Sequence, residues 1–166
     1  MKKQSSITVK TLAFGGMLAA LVFVATSFLK LPVSVTQGYI HLGDGVILLG
    51  AGLLGPASIV ASALGSMLAD LLGGYTLYCL PTFLIKAATA AVGVWAAGRK
   101  QTWLRIVGFV LAEAVMVTGY FVAEWLFLGY GLAAAAGALL PNAIQGLSGV
   151  VLATVLWPVI KRVHLQ

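Results

Sequence analysis

The chain has 166 residues, 61% of them hydrophobic and only 8% charged, with a net charge of +6 and a mean hydropathy of +1.06. Soluble domains carry about 25% charged residues, so a soluble enzyme or a nucleic-acid-binding domain is excluded and the chain belongs in contact with membrane lipid. The thinly spread basic residues read as topology markers, and the single cysteine, Cys79, offers neither an internal disulfide nor a metal pattern.

The N-terminal MKKQSSITVK precedes an apolar run over 11–29 that is too long for a signal-peptide core and lacks a small-x-small cleavage site. It is expected to stay as the first span. A membrane crossing needs about 20 apolar residues, and the candidates are 11–30, 44–55, 57–73, 81–98, 103–129 and 134–160. The second and third are short and are separated only by Gly55-Pro56, so one kinked helix over 44–73 is the alternative. Charge decides. With six spans, Lys2, Lys3 and Lys10, the cluster Arg99, Lys100 and Arg105, and Lys161-Arg162 all fall on one side; with five they do not. The positive-inside rule therefore predicts an all-α, single-domain membrane protein over 1–166, with six helices and both termini cytoplasmic. Gly55-Pro56 becomes a tight inner turn, because proline disfavours helix in the residue before it.

The outer connections are then 31–43, 74–80 and 130–133. The first alternates and is partly β-branched, which predicts a short hairpin or lid. At its end, GYIHLGDGV brings together two of the scarcest side chains, His41 and Asp44. Asp44 has the position of an N-cap for the second span, and Gly43 supplies backbone freedom for a hinge.

Polar groups in a membrane helix usually face the bundle interior and mark function. Asp70, Lys86, Tyr120, Glu124, Asn142 and Gln145 form one layer towards the outer half, with His41 and Asp44 at the same level. At about 100° per residue, Glu113, Tyr120 and Glu124 fall within roughly 40° on one face, with Glu113 about 16 Å deeper than Glu124. Asn142 and Gln145 are neighbours on one face, and their amides suit a neutral polar heterocycle. Simpler readings stand beside these. Asp44 can cap and nothing more, and His41 can be an interfacial loop residue. Lys86 can pair structurally with Glu124 or Asp70, Tyr75 and Tyr78 can be belt residues, and Glu113 can be a helix–helix hydrogen-bonding group. In the first span, Gly15-x-x-x-Ala19 and Gly16-x-x-x-Ala20 allow close helix approach, within the chain or against a partner.

No Gly-rich phosphate loop, H-E-x-x-H or C-x-x-C is present. The chain is therefore expected to be no enzyme and to need no cofactor, with any ATP used by partner subunits.

Taken in order, G-Y-I-H-L-G-D at 38–44, L-G-P at 54–56, A-D-L-L-G-G-Y at 69–75, P-T-F-L-I-K at 81–86, G-Y-F-x-x-E at 119–124 and P-N-x-x-Q at 141–145 resemble the substrate-binding S components of energy-coupling factor (ECF) vitamin transporters. The similarity runs over about residues 10–160 and points to the branch with hydroxymethylpyrimidine- and pyridoxine-type members. It implies a prokaryotic plasma-membrane protein that binds a vitamin near the outer face under the first loop. It also implies a transmembrane T component and two ATPase subunits as partners. In that family an A-x-x-x-A pattern on the first helix packs on the T component; the matching positions here are Gly15, Gly16, Ala19 and Ala20, with glycine opening each pair. The site implied is stacking by Tyr39, Tyr78 and Tyr120, hydrogen bonds from Asn142 and Gln145, and a polar rim pair of Lys86 and Glu124, with His41 and Asp70 near the ligand. The competing class is a stand-alone proton- or ion-coupled carrier using Glu113 and Glu124 as a relay. Such carriers are commonly built from internal repeats, and none is evident here. An integral membrane enzyme or scaffold is the third class, and it lacks a catalytic cluster.

Overall fold

The computed structural model describes residues 8–28, 30–33 and 38–164. The expected basic markers Lys2 and Lys3, and part of the first outer loop, lie outside the described residues. Six α-helices are present: α1 (Val9–Phe28), α2 (Gly43–Leu54), α3 (Ala57–Leu72), α4 (Cys79–Ala97), α5 (Thr102–Val122) and α6 (Gly131–His164). A 3₁₀ turn, Thr76–Tyr78, leads into α4, and a π-helical turn, Ala123–Phe127, ends α5. With these extensions, α1, α4, α5 and α6 are each long and apolar enough to cross a membrane.

The two short helices need another explanation. At 1.5 Å per residue, the 12 residues of α2 reach about 18 Å, well short of a bilayer core of about 30 Å. Most of α2 is buried, including Gly43 to Gly45, Ile47, Leu48, Gly50 and Ala51. It packs against α1, α3, α4 and α6, so protein and not lipid covers its ends. The turn between α2 and α3 is the expected one. Gly55 has φ +54°, a left-handed value that suits glycine, and Pro56 begins the next helix.

The remaining helices form an arc in which α1 meets α3, α3 meets α4, α4 meets α5, and α5 meets α6, with α2 bridging its ends by packing on both α1 and α6. Small residues permit the tightest approach: a Cβ on Gly65 of α3 would collide with the Ala19 carbonyl of α1. One apolar cluster joins Leu48, Phe109, Val150 and Trp157, with the Phe109 and Trp157 rings edge to face at 5.5 Å. Another joins Leu18, Val22, Ile47, Ala61 and Ala90.

The two ends of the bundle differ. At one end, Gly55, Arg99, Lys100, Arg105 and Lys161 surround a common recess, which brings the α2–α3 turn, the α4–α5 turn and the end of α6 together. By the positive-inside rule this is the cytoplasmic end. At the other end lies the expected hairpin, β1 (Leu31–Val33) antiparallel to β2 (Gly38–Ile40), with Pro32 opposite Tyr39.

Candidate functional site

Beneath the hairpin is a cavity with about 490 Å³ of space not filled by atoms. That space is narrow, with room for water but not for an aromatic ring. A heteroaromatic ring needs the walls to part. Of the nine residues expected at the ligand, eight line this one cavity: Tyr39, His41, Asp70, Tyr78, Tyr120, Glu124, Asn142 and Gln145. They come from β2, the β2–α2 connection, α3, the 3₁₀ turn, α5, the π turn and α6.

Each is held by local chemistry. The Tyr39 hydroxyl donates to Asp70 Oδ1 at 2.6 Å, and its ring lies 4.7 Å from that of Tyr75. Lys30 Nζ sits over the Tyr39 ring at 4.2 Å and donates to the Ala69 carbonyl at 3.3 Å. Burial first, then the Asp70 carboxylate, pushes the Tyr39 phenol well above its ordinary pKa, which keeps its proton in place as the donor. Tyr78 donates to Glu124 Oε1 at 3.1 Å. The π turn, in which Leu128 N–H reaches the Ala123 carbonyl at 2.9 Å, carries Glu124 on the inner side. Asn142 follows Pro141 inside α6, where proline leaves a carbonyl of the preceding turn without its helical donor.

Two expectations are corrected. Asp44 does not cap α2. Leu42 holds the N-cap position with no side-chain cap bond, and the first free N–H, that of Gly43, donates instead to His41 Nδ1 at 2.9 Å. Gly43 is needed for space more than for hinge freedom, because a Cβ there would press on the His41 ring and Thr26 Oγ1. Asp44 is turned inward from the first turn of α2, where it meets Lys86 Nζ at 2.5 Å through Oδ1, with both side chains fully buried. Its Oδ2 accepts from Gln145 Nε2 at 2.6 Å. Lys86 is therefore neither at a rim nor paired with Glu124 or Asp70; it lies behind the cavity wall, 5.4 Å from the Tyr120 ring centre.

Gln145 links the two layers. Its Oε1 accepts the His41 backbone N–H at 2.9 Å while its amide nitrogen holds Asp44. Both ends of that amide are thus engaged, and Asn142 is the amide left to face the cavity. His41 lies outside the spans, and burial, then the Lys86 charge, lowers its pKa to about 3. It is neutral, and because Nδ1 accepts from Gly43 the proton sits on Nε2.

Glu113 is buried, packs beside Gly146 of α6 and is absent from the cavity wall. Gly15 and Gly16 have nothing within 4 Å of where a Cβ would stand. Gly16 and Ala20 are exposed, whereas Gly15 and Ala19 are only partly covered, Ala19 beside α3. The wall also holds Tyr75, weighed from the sequence against a belt role, and Thr26, Ser66 and Thr82, for which the sequence suggested no ligand role. A signal existed. Ser58, Ser62, Ser66 and Asp70 recur every fourth residue, and Thr82, Lys86 and Thr89 fall at three- and four-residue steps, each marking one buried polar helix face.

This arrangement, with six helices and a polar aromatic cavity under a hairpin at the end away from the basic clusters, has known counterparts. The family described as "ECF-type riboflavin transporter, S component" matches residues 6–162. The chain belongs to that family. This S component is 31% identical over 164 residues to the thiamine precursor transporter HmpT of Lactococcus lactis subsp. cremoris (strain MG1363), covering 98% of the chain and 94% of the relative. It is 32% identical over 143 residues to an uncharacterized protein from Pyrococcus woesei, covering 85% and 95%. A solved structure of the S component of a bacterial ECF transporter matches with a TM-score of 0.73 at 23% identity, covering 95% of this chain and 98% of that one; the likeness is one of fold. The S component is thus a multi-pass membrane subunit that binds substrate for a vitamin or vitamin-precursor transporter, and not an enzyme.

Proposed function

We propose that this S component captures a small water-soluble heteroaromatic vitamin or precursor, pyridoxine or hydroxymethylpyrimidine, in the cavity under the hairpin on the outer face. A T component and two ATPase subunits drive its uptake, and this chain needs no cofactor of its own. The observation that carries the reading is the convergence of Tyr39, Tyr78, Tyr120 and Asn142 on one cavity. Aromatic faces with a few convergent polar groups are what a small planar ligand needs. The similarity to a thiamine precursor transporter supports the pyrimidine side of the choice. Gly16 and Ala20 on the exposed face of α1 supply a smooth surface for the T component.

The test is thermal unfolding of the purified chain in detergent against water-soluble vitamins and their precursors. A ligand that binds only the folded form raises Tm with its concentration. The expected result is stabilisation by one ring compound, lost in Tyr39→Ala and His41→Ala. One observation favours a second reading, a proton-coupled carrier: both Glu113 oxygens are buried without a hydrogen-bond partner among the described residues. That reading expects proton-dependent flux by the chain alone in liposomes, abolished in Glu113→Gln.

A further inference from the structure

The cytoplasmic end of the bundle holds positive charge that no carboxylate of the chain answers. Arg99, Lys100, Arg105 and Lys161, from the α4–α5 turn, α5 and α6, line one recess with about 1110 Å³ of space not filled by atoms. The chain has four acidic residues, and none is on this wall. Asp44 is closed on Lys86, Asp70 and Glu124 line the outer cavity, and Glu113 lines a groove between α5 and α6.

Arg105 is the fixed point of the recess. It is only 4% exposed, yet it stands in the first turn of α5, where the helix's own free N–H groups already make a positive end. Its two hydrogen bonds are long and go to neutral acceptors, the Arg99 carbonyl at 3.5 Å and the Thr102 hydroxyl at 3.4 Å. It forms no ion pair among the described residues. Its guanidinium lies 4.5 Å from the centre of the Trp157 ring, and α2 leaves room for that ring at Gly52, where a Cβ would collide with it. Trp157 is buried too, and its indole N–H has no hydrogen-bond partner among the described residues. A buried cation without a counterion and a buried donor without an acceptor are both costly. The first calls for an anion with several acceptor oxygens, and an arginine fork matches those of a phosphate.

The rest of the wall selects the kind of phosphate. Val94, Ala97 and Ile160 stand beside the charges, at the end of the bundle where the helices leave the lipid. A soluble anion gains nothing from apolar walls, whereas a phospholipid presents phosphate and hydrocarbon together. Basic pockets between helices on the cytoplasmic side suit anionic headgroups.

We infer that this recess is a phosphate site, filled by the headgroup of an anionic phospholipid of the inner leaflet. Arg105 is its fixed donor, and Arg99, Lys100 and Lys161 surround the phosphate. The site lies at the opposite end from the vitamin cavity, and neither reading depends on the other.

The test is the Tm of the purified chain, washed free of lipid in a neutral detergent and titrated with phosphatidylglycerol, phosphatidylcholine or soluble glycerol phosphate. Phosphatidylglycerol is expected to raise Tm saturably and to bind at least about tenfold more tightly than phosphatidylcholine. Glycerol phosphate is expected to give no shift. Lys100→Gln combined with Lys161→Gln, both at the rim, should weaken phosphatidylglycerol at least about tenfold. Lys10→Gln combined with Arg162→Gln removes the same charge from the same end but outside the recess wall, and should keep most of the affinity. Arg105→Lys, which keeps the charge and loses the fork, should also bind more weakly; if it does not fold, the two pairs decide. Equal loss in both pairs overturns the inference, because the effect is then one of net charge. Equal shifts with the two lipids overturn it as well. A shift with glycerol phosphate as large as that with phosphatidylglycerol overturns the lipid as the source. No shift with phosphatidylglycerol also overturns the inference; should the rim pair then fail to co-purify with the T component, the recess belongs to a protein partner.

Discussion

Asp44 and Asp70 are both buried aspartates near the hairpin end of the bundle, and their surroundings differ. Asp44 has a donor on each oxygen, Lys86 on one and Gln145 on the other, and no open side. Asp70 has the Tyr39 phenol on one oxygen, Thr82 beside its carboxylate, and lines the cavity. The first arrangement is closed: a charge taken out of lipid, neutralised, and used to hold α2, α4 and α6 at one point. The second stands in the cavity wall, among rings and hydroxyls. In a protein with four acidic residues, the difference separates an acid closed into the bundle from one that lines the cavity.

Cutting the closed arrangement should do the most damage. Lys86→Met leaves the Asp44 charge buried without its partner and is expected to cost about 3–5 kcal/mol, read as a large fall in detergent Tm or failure to fold. Adding Asp44→Asn should restore much of the loss. A single variant as stable as the parent would show that the pair does not hold the helices together.

His41 lies between the two regions, its ring 5.5 Å from that of Tyr39 and its backbone on Gln145. Because its pKa in the folded chain, about 3, is below the ordinary 6.5, folding favours the neutral form. That contribution is complete above pH 6.5 and is lost as pH falls from 6.5 towards 3. Tm measured down to about pH 4 should therefore fall, and His41→Gln should flatten the slope. A wild-type Tm unchanged over that range would contradict the buried, neutral histidine.

The smallest effect on stability belongs to Gly16→Leu, on a face with nothing within 4 Å. Stability should stay within about 0.5 kcal/mol of the parent, while co-purification with the T component should drop. Retained co-purification would place the partner surface elsewhere.

Much of the fold was legible because lipid imposes strict rules. Apolar length located the four long spans, and the basic clusters together with Gly55-Pro56 divided 44–73 into two helices. The hairpin followed from alternation. The polar layer was also legible, since each polar side chain in so apolar a chain stands out. The partners within that layer were not. Lys86 and Asp44 are 42 residues apart, and the sequence suggested Glu124 or Asp70 as the partner instead. The π turn after Val122 was invisible too, because a single wide turn leaves no periodic trace over so few residues.

The sequence by itself determined that this is a membrane bundle, how many times the chain crosses, and which polar side chains gather at one end. These depend on composition and on periods along the chain. Only the tertiary structure decided that His41, not Asp44, meets the start of α2, that Lys86 is closed off behind the wall, and that Asp70 lines the cavity. Those outcomes depend on which helix faces which, and on the distances across them.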